Sequence, residues 1–262
     1  MKETIAIIGA GNMGTAFYKG VREHLNRVRI NLCDKNMEKL TALDAEHIYT
    51  DPAKAVAEAS VVLLAVKPQS AQALLAPLSP ALKHHLIISI MAGISITTLE
   101  QWTGATAVVR AMPNLPAQVA RGLTGWTASA GTDDKERAFV KELFLSVGQE
   151  IELENESMLD SLTPLSGSGP AYFFLLAELI AAKAIKEGFT EKQANLIARE
   201  TLIGSALLLD EDPRGVRDMR IAVTSKAGVT EAALRSLNDA KFENIFAEAI
   251  DRAIARSREL NA

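Results

Sequence analysis

The chain has one cysteine in 262 residues, Cys33. No intramolecular disulfide can form, and a single thiol cannot by itself build a metal site. Cys33 closes an apolar run, so a small core residue in a reducing, cytoplasmic setting is its expected place. Positive charge is not in excess. The formal net charge of −4 gives no electrostatic case for nucleic acid or for an anionic membrane surface. The longest apolar run, Pro170 to Ile185, contains Glu178 and Lys183 and is shorter than the about 20 residues a bilayer-spanning helix needs; it is expected to be a buried helix, with no membrane anchor. Met1-Lys2-Glu3 leads straight into a first strand, without the charge pattern of a cleavable leader. No low-complexity linker is present. None of His24, His47, His84 or His85 falls in a motif loop, so no histidine receives a catalytic role. What remains is an ordinary globular composition, 48% hydrophobic and 23% charged, long enough for one large domain or two smaller ones.

Against those absences stands one organised stretch, Gly9-Ala10-Gly11-Asn12-Met13-Gly14. It reads G-x-G-x-x-G, directly after the apolar run Thr4-Ile5-Ala6-Ile7-Ile8 and directly before a helix-like segment from Thr15 to Leu25. In that context the first glycine permits a tight turn and the second lets backbone approach a pyrophosphate. The third lets the helix lie close on the strand with its N-terminal N–H groups facing the phosphates. The bland alternative is a βα turn with no ligand, and strand, spacing and helix together argue against it.

Beyond the glycine turn, Val28 to Cys33 reads as a second strand ending at Asp34, about 20 residues on, where a carboxylate can accept hydrogen bonds from an adenosine ribose. Such an acid favours NAD, whereas a cation at Lys35 is able to hold a 2′-phosphate, and the pair leaves cofactor choice open. A solvated strand end is the other reading. Asn36 caps a helix through Leu43; Ile48-Tyr49 is a short strand; Asp51-Pro52 starts another helix. Ser60 to Val66 is a continuous apolar strand, as in a parallel sheet covered on both faces. It stops at Lys67-Pro68, so Ala65, Val66 and Lys67 fall where ligands gather in open α/β sheets; Lys67 either faces the cofactor or is a solvated loop lysine. Leu86 to Ile90 is another strand, with Thr97 and Glu100 as a capping box for the helix after it. Ala107 to Met112 follows, closed by Pro113-Asn114-Leu115-Pro116. That stiff turn either holds Asn114 against a nicotinamide or is only a proline turn. Gly122 to Ser129 and Val147 to Leu153 are further strands around a helix capped by Asp133 and Glu136. The alternation is a doubly wound sheet, which supplies cofactor binding without choosing a reaction.

From Asn155 strand signals vanish. The expected domains are therefore residues 1–153, dinucleotide-binding, and 154–262, all-helical. Ser166-Gly167-Ser168-Gly169-Pro170 reads as a loop opening a helix at Pro170 that stops at Gly188. That helix begins Ala171-Tyr172-Phe173-Phe174-Leu175-Leu176, apolar on nearly every face, and so needs cover on all sides; a partner subunit is the natural cover. Thr190 and Gln193 start the next helix, to about Leu209. Pro213 opens a short one, and an amphipathic helix over 239–259 ends the chain. Between them Val223 to Thr230 supplies two hydroxyls, a glycine and a free helix N-terminus: a small anion pocket, with Thr230 as N-cap, ligand group or both.

These residues together resemble one family, the pyrroline-5-carboxylate reductases. The resemblance is carried by Gly9 to Gly14, Ala65-Val66-Lys67-Pro68, Met112-Pro113-Asn114, Leu165 to Tyr172 and Val223 to Thr230, in order along nearly the whole chain. It implies the last step of proline synthesis, hydride transfer from NADPH or NADH to the C=N carbon of a five-membered cyclic imino acid. It also implies a Rossmann domain, and a helical domain that intertwines into dimers and often into a decamer of five dimers. Cofactor contacts would then come from Gly9, Gly11, Asn12, Met13, Gly14, Asp34, Lys35, Ala65, Val66, Lys67, Pro68, Met112, Pro113 and Asn114. The substrate would lie on Ser225, Ala227, Gly228, Val229 and Thr230, with its carboxylate on backbone N–H groups and Ser225, and the Thr230 hydroxyl beside the imine nitrogen. No metal is implied.

The chain departs from that family's pattern at several places. Its loop usually reads Thr-Ser-Pro-Gly-Gly-Thr-Thr, and here Lys226, Ala227 and Val229 replace the proline, first glycine and first threonine. Ala227 removes φ freedom, and Lys226 adds a charge able to pair with a substrate carboxylate. Leu115 replaces a threonine, and Asp34 stands where asparagine or serine is more usual. Three rivals are weighed: a reductase of another cyclic imine, a hydroxyacid dehydrogenase and a non-catalytic dinucleotide-binding regulator. The hydroxyacid enzyme needs G-x-x-x-K-x-x-N around Lys183, where Leu179 and Lys186 stand instead.

Overall fold

A strand covered on both faces seldom carries charge, and the uncharged runs of this chain lie at the centre of one eight-stranded sheet. The computed structural model describes residues 3–261; Met1 and Lys2, read above as leading into the first strand, lie outside the described residues. The order opens β1 (Thr4–Ile8), α1 (Asn12–His24), β2 (Arg29–Cys33), α2 (Met37–Thr41), β3 (Ile48–Tyr49) and α3 (Pro52–Val56). It continues β4 (Val61–Leu64), α4 (Pro68–Leu75), α5 (Ser79–Leu82), β5 (Leu86–Ser89), α6 (Ile96–Thr103) and β6 (Val108–Pro113). Then come β7 (Gly122–Ala128), α7 (Asp134–Leu145), β8 (Gly148–Glu152) and α8 (Ser157–Leu162). The spatial order is β3-β2-β1-β4-β5-β6-β7-β8. Strands β1 to β6 pair in parallel among themselves, β7 runs antiparallel to β6, and β8 pairs parallel with β7. Chain direction across the sheet reverses between β1 and β4. This is the doubly wound, Rossmann-like arrangement, whose switch point opens a crevice at the carboxyl ends of those two strands.

Alternate residues of each strand feed opposite layers. Ile5, Ile7, Leu63 and Ile88 pack with Phe17, Trp126 and Phe144 on one face. Ala6, Ile8, Val62 and Leu64 pack with Leu75, Leu82 and Leu99 on the other.

Two compact units are present: residues up to Ser168 together with those from Ile254 on, and Gly169–Ala253. The last strand ends at Glu152, and the division into units falls later, after Ser168. The second unit draws on α9 (Gly169–Lys186), α10 (Glu191–Glu211), α11 (Val216–Ala222), α12 (Val229–Asp239) and α13 (Phe242–Asn261).

Several starts and stops differ from the sequence expectation, each for a local reason. Helix α6 is capped by Ser95, whose hydroxyl accepts the Thr98 N–H at 3.1 Å, so it begins at Ile96 and Thr97 with Glu100 forms no capping box. Helix α11 starts at Val216 behind Gly215, not at Pro213, because Asp212 folds its carboxylate onto the Arg214 N–H. The last helix starts at Phe242, since Lys241 takes φ +55° and breaks the chain at 239–241. Ser166 to Ser168 is no loop: Thr163–Gly167 is a π turn, closed by the Ser168 N–H on the Thr163 carbonyl at 2.8 Å. Ser157–Lys186 is consequently helical for 30 residues, long and apolar enough to cross a membrane by length and composition. Nor is α9 buried within its own unit, where only Gly169 and Ala184 are shielded. Expected capping boxes do form at Asp133 with Glu136 and at Thr190 with Gln193.

Candidate functional site

The three motif glycines answer to different demands. Gly9 ends β1 at φ +109°, and a Cβ there would lie 2.6 Å from the Ala65 carbonyl oxygen. Its N–H donates to the Cys33 carbonyl at 2.7 Å, tying the turn to β2. At Gly14 a Cβ would lie 1.8 Å from the Gly9 oxygen, so glycine is compulsory if α1 is to sit on β1. Gly11 is another matter: a Cβ there would meet nothing within 4 Å. The protein's own packing does not require Gly11, and the open space leaves its backbone approachable by a ligand. Gly11 is also the N-cap of α1, with no side-chain cap, which suits a phosphate on that helix end. A pyrophosphate fits the residues present.

Beside this turn lies a cavity of about 550 Å³ lined by Gly9, Gly11, Asp34, Lys35, Ala65, Val66 and Lys67 among others. Asn12 borders a neighbouring cavity of about 350 Å³ with Gly11, Thr15 and Lys19, while Met13 packs against the core. Lys67 is the N-cap of α4 in extended conformation, and Pro68 opens the helix. Asp34 holds the site together: it accepts the Ala10 N–H at 2.8 Å on Oδ2 and the Asn36 N–H at 2.9 Å on Oδ1. Asn36 in turn caps α2 by accepting from the Glu38 and Lys39 N–H groups. Burial, with Asp34 and Asp51 nearby, pushes the Cys33 thiol up to about 11, so it is an inert lining residue. Sequence reasoning missed Lys39, which borders both cavities; its signal was its place in the first turn of α2.

Met112, Pro113 and Asn114 do not line that cavity. They meet the π turn instead. Asn114 accepts the Leu123 N–H at 2.9 Å and donates to the Ser166 hydroxyl at 3.1 Å, and a Cβ on Gly167 would lie 3.1 Å from the Met112 Cε. Arg110, also missed, is a buried cation in an apolar strand, 2.7 Å from Glu156 and 3.6 Å from Asp160. Glu156 accepts the Ile96 N–H as well, at 2.9 Å. The lone arginine in Val108-Val109-Arg110-Ala111-Met112, with acids spaced one helical turn apart at Glu156 and Asp160, was the available signal.

In the second unit Ser225 to Gly228 form a tight turn, with the Gly228 N–H on the Ser225 carbonyl at 3.0 Å. Gly228 is the N-cap of α12, so Thr230 is the helix's second residue and not its cap. A Cβ at Gly228 would overlap the Ser225 hydroxyl, 2.2 Å away. Ala227 adopts φ +57° despite its Cβ, and its N–H donates to the Glu231 carboxylate at 2.6 Å. Ser225 and Lys226 are exposed and Thr230 is half-buried; Val229 is 90% exposed. Lys183 is exposed and paired with Glu187, four residues on.

Comparison with known proteins places this geometry. A family model described as pyrroline-5-carboxylate reductase dimerisation matches residues 156–260, and one described as NADP oxidoreductase, coenzyme F420-dependent, matches residues 4–93. A pyrroline-5-carboxylate reductase of Pseudomonas aeruginosa is 37% identical over 262 residues, covering 98% of this chain and 96% of that protein. A solved pyrroline-5-carboxylate reductase from Coxiella burnetii superposes with a TM-score of 0.93 at 31% identity over the whole of both chains. The pyrroline carboxylate reductase of Plasmodium falciparum, solved with NADP bound, gives a TM-score of 0.85 at 24% identity over the whole of both chains, a likeness of fold.

Proposed function

The chain belongs to the pyrroline-5-carboxylate reductase family, and on that premise we propose how its residues divide the reaction. It is an NAD(P)H-dependent oxidoreductase that reduces the C=N bond of 1-pyrroline-5-carboxylate to proline, closing proline biosynthesis. It works as a homo-oligomer, its residues 156–260 matching a dimerisation model. The observation that carries the reading is Gly11, whose missing side chain serves no contact of the protein and leaves backbone open to a pyrophosphate.

The dinucleotide would be held by Gly9, Gly11, Asn12 and the α1 terminus, with Asp34 and Lys35 at the adenosine end and Ala65 to Pro68 along the crevice. It supplies the hydride. Asn114, braced between Leu123 and Ser166, stiffens the end of β6 with Met112 and Pro113. Ser225 and the N–H groups at the start of α12 would bind the substrate carboxylate, an anion suited to a helix N-terminus. The Thr230 hydroxyl would sit at the ring nitrogen, which carries its proton before the neighbouring carbon gains hydride. A protonated imine is already electrophilic, so alignment and hydrogen-bond donors contribute more than a strong general acid. The finer assembly is a dimer within a decamer, in the cytoplasm, without nucleic acid or membrane partners, and the working division is 1–153 for cofactor and 154–262 for substrate and pairing.

Steady-state oxidation of NADH and NADPH with 1-pyrroline-5-carboxylate tests the activity. Thr230→Ala is expected to lower turnover about a hundredfold while dinucleotide affinity, read by calorimetry, is unchanged. Unchanged turnover removes Thr230 from the site.

A further inference from the structure

We propose that Asp34, held rigidly by the glycine turn, makes this chain select NADH over NADPH. The inference rests on the cavity beside Gly11 being the dinucleotide site. Three observations converge there. Asp34 stands at the carboxyl end of β2, at the cavity wall, where an adenosine ribose presents its 2′ position. Its carboxylate is not free to swing aside, because one oxygen holds the Ala10 N–H of the glycine turn and the other holds the Asn36 N–H. Each carboxylate oxygen has two lone pairs, so both keep acceptor capacity for a ribose hydroxyl while remaining fixed. A 2′-phosphate would bring two negative charges against a third that cannot retreat.

The donors that commonly relieve such a clash are already engaged. The first N–H groups of α2, at Glu38 and Lys39, bond to the Asn36 side chain, so that helix end has little to offer a phosphate. Lys39 borders the cavities on both sides of Gly11; its charge is available to the pyrophosphate that either cofactor carries and does not single out NADPH. Two cations remain on the wall: Lys67, which caps α4 beyond β4, and, next in sequence to Asp34, Lys35. It is exposed, and its water-screened ammonium offsets less than a fixed carboxylate repels.

The test is calorimetric titration of the purified oligomer with NAD⁺ and with NADP⁺, alongside steady-state kcat/KM for NADH and NADPH. The wild-type protein is expected to favour the non-phosphorylated form by about tenfold or more. Asp34→Asn keeps one acceptor and the side-chain volume but removes the charge. It should shift the affinity ratio toward NADP⁺ by about tenfold, and Asp34→Ser should do the same if the amide variant folds poorly. Lys35→Ala should leave the ratio within about twofold, the size expected of a screened surface charge. Equal or tighter binding of NADP⁺ by the wild type overturns the inference, as does an unchanged ratio in both Asp34 variants. A collapse of NADP⁺ binding in Lys35→Ala would hand selectivity to the lysine. Failure of both nucleotides to bind would instead remove the dinucleotide site itself.

Discussion

Large side chains are treated in opposite ways by the two units of this chain. Around the sheet, Phe17, Trp126 and Phe144 are fully buried, and Phe17 and Phe144 meet edge to face with centroids 6.0 Å apart. In the unit Gly169–Ala253, Phe173 is 58% exposed and Phe174 56%, with Leu175, Leu179, Leu196 and Leu207 left open as well. Small residues, Ala184, Ala194 and Ala198, fill the seam between α9 and α10. Each large apolar side chain left in water forgoes about 1.5–3 kcal/mol, so a helical unit of this kind gains its stability by association. The sheet unit closes its core with its own chain; the open apolar face of the helical unit, within the stretch 156–260 that matches a dimerisation model, is suited to sharing with another copy.

The largest expected effect breaks that sharing. Phe173→Glu combined with Phe174→Glu places two charges where a partner's apolar surface is needed, and should cost upwards of about 5 kcal/mol of assembly. Light scattering should show loss of the oligomer, and circular dichroism a concentration-dependent loss of helix. An oligomer with an unchanged melting temperature would mean that this face is not the interface. In the sheet unit, Gly14→Ala should cost about 3 kcal/mol or more, because its Cβ falls inside the Gly9 carbonyl. Gly11→Ala sharpens the contrast. With open space around its Cβ, thermal stability should change by less than about 1 kcal/mol, while NADH affinity drops about tenfold or more. Equal losses of stability in the two variants would show that Gly11 serves packing.

Smaller effects probe the turn at the start of α12. Ala227→Gly relieves a left-handed alanine and should raise stability by about 0.5–1 kcal/mol in chemical denaturation. Glu231→Ala should lower it, because the Ala227 N–H loses its acceptor, and glycine at 227 should blunt that loss. The smallest effect is in acid. Burial works against ionisation of Glu152, but hydrogen bonds from Lys141 and Arg137 prevail and hold its carboxyl below the ordinary value of 4.5. A depressed folded pKa means that this stabilisation is complete above pH 4.5 and fades as pH falls through the folded value. The melting temperatures of wild type and Glu152→Gln should therefore differ near neutrality and converge below that range.

Some of this was legible because its causes are local. The glycine turn is a spacing of three residues after an apolar run, and Asp51, Asp133 and Thr190 cap their helices from the side chain of one residue. The strands β1, β4 and β5 needed only their uncharged runs. Elsewhere local chemistry offered more than one solution. Ser95, Thr97 and Thr98 all carry hydroxyls, and the sequence does not say which one caps. A Pro-Leu-Ser-Gly-Ser-Gly-Pro stretch has the composition of a loop, yet its first residues join a π turn, closed by the Ser168 N–H on a carbonyl five positions earlier. Ala227 was expected to resist φ > 0 and adopts it nonetheless, since the Glu231 carboxylate holds its N–H in the turn. The geometry at Asn114 was invisible, its partners Leu123 and Ser166 being 9 and 52 positions away.

The amino-acid order by itself determined the sheet-then-helices architecture, the dinucleotide turn and the family, because each rests on periodicity or on motifs within a few residues. Only the folded chain decided that Asp34 is clamped to Ala10, 24 positions earlier, that Arg110 is shared by Glu156 and Asp160, and that Gly11, alone among the three motif glycines, has no packing to satisfy. Such contacts join residues that meet only after the strands have paired, and the free energy that holds them is set by burial and distance, neither of which is written along the chain.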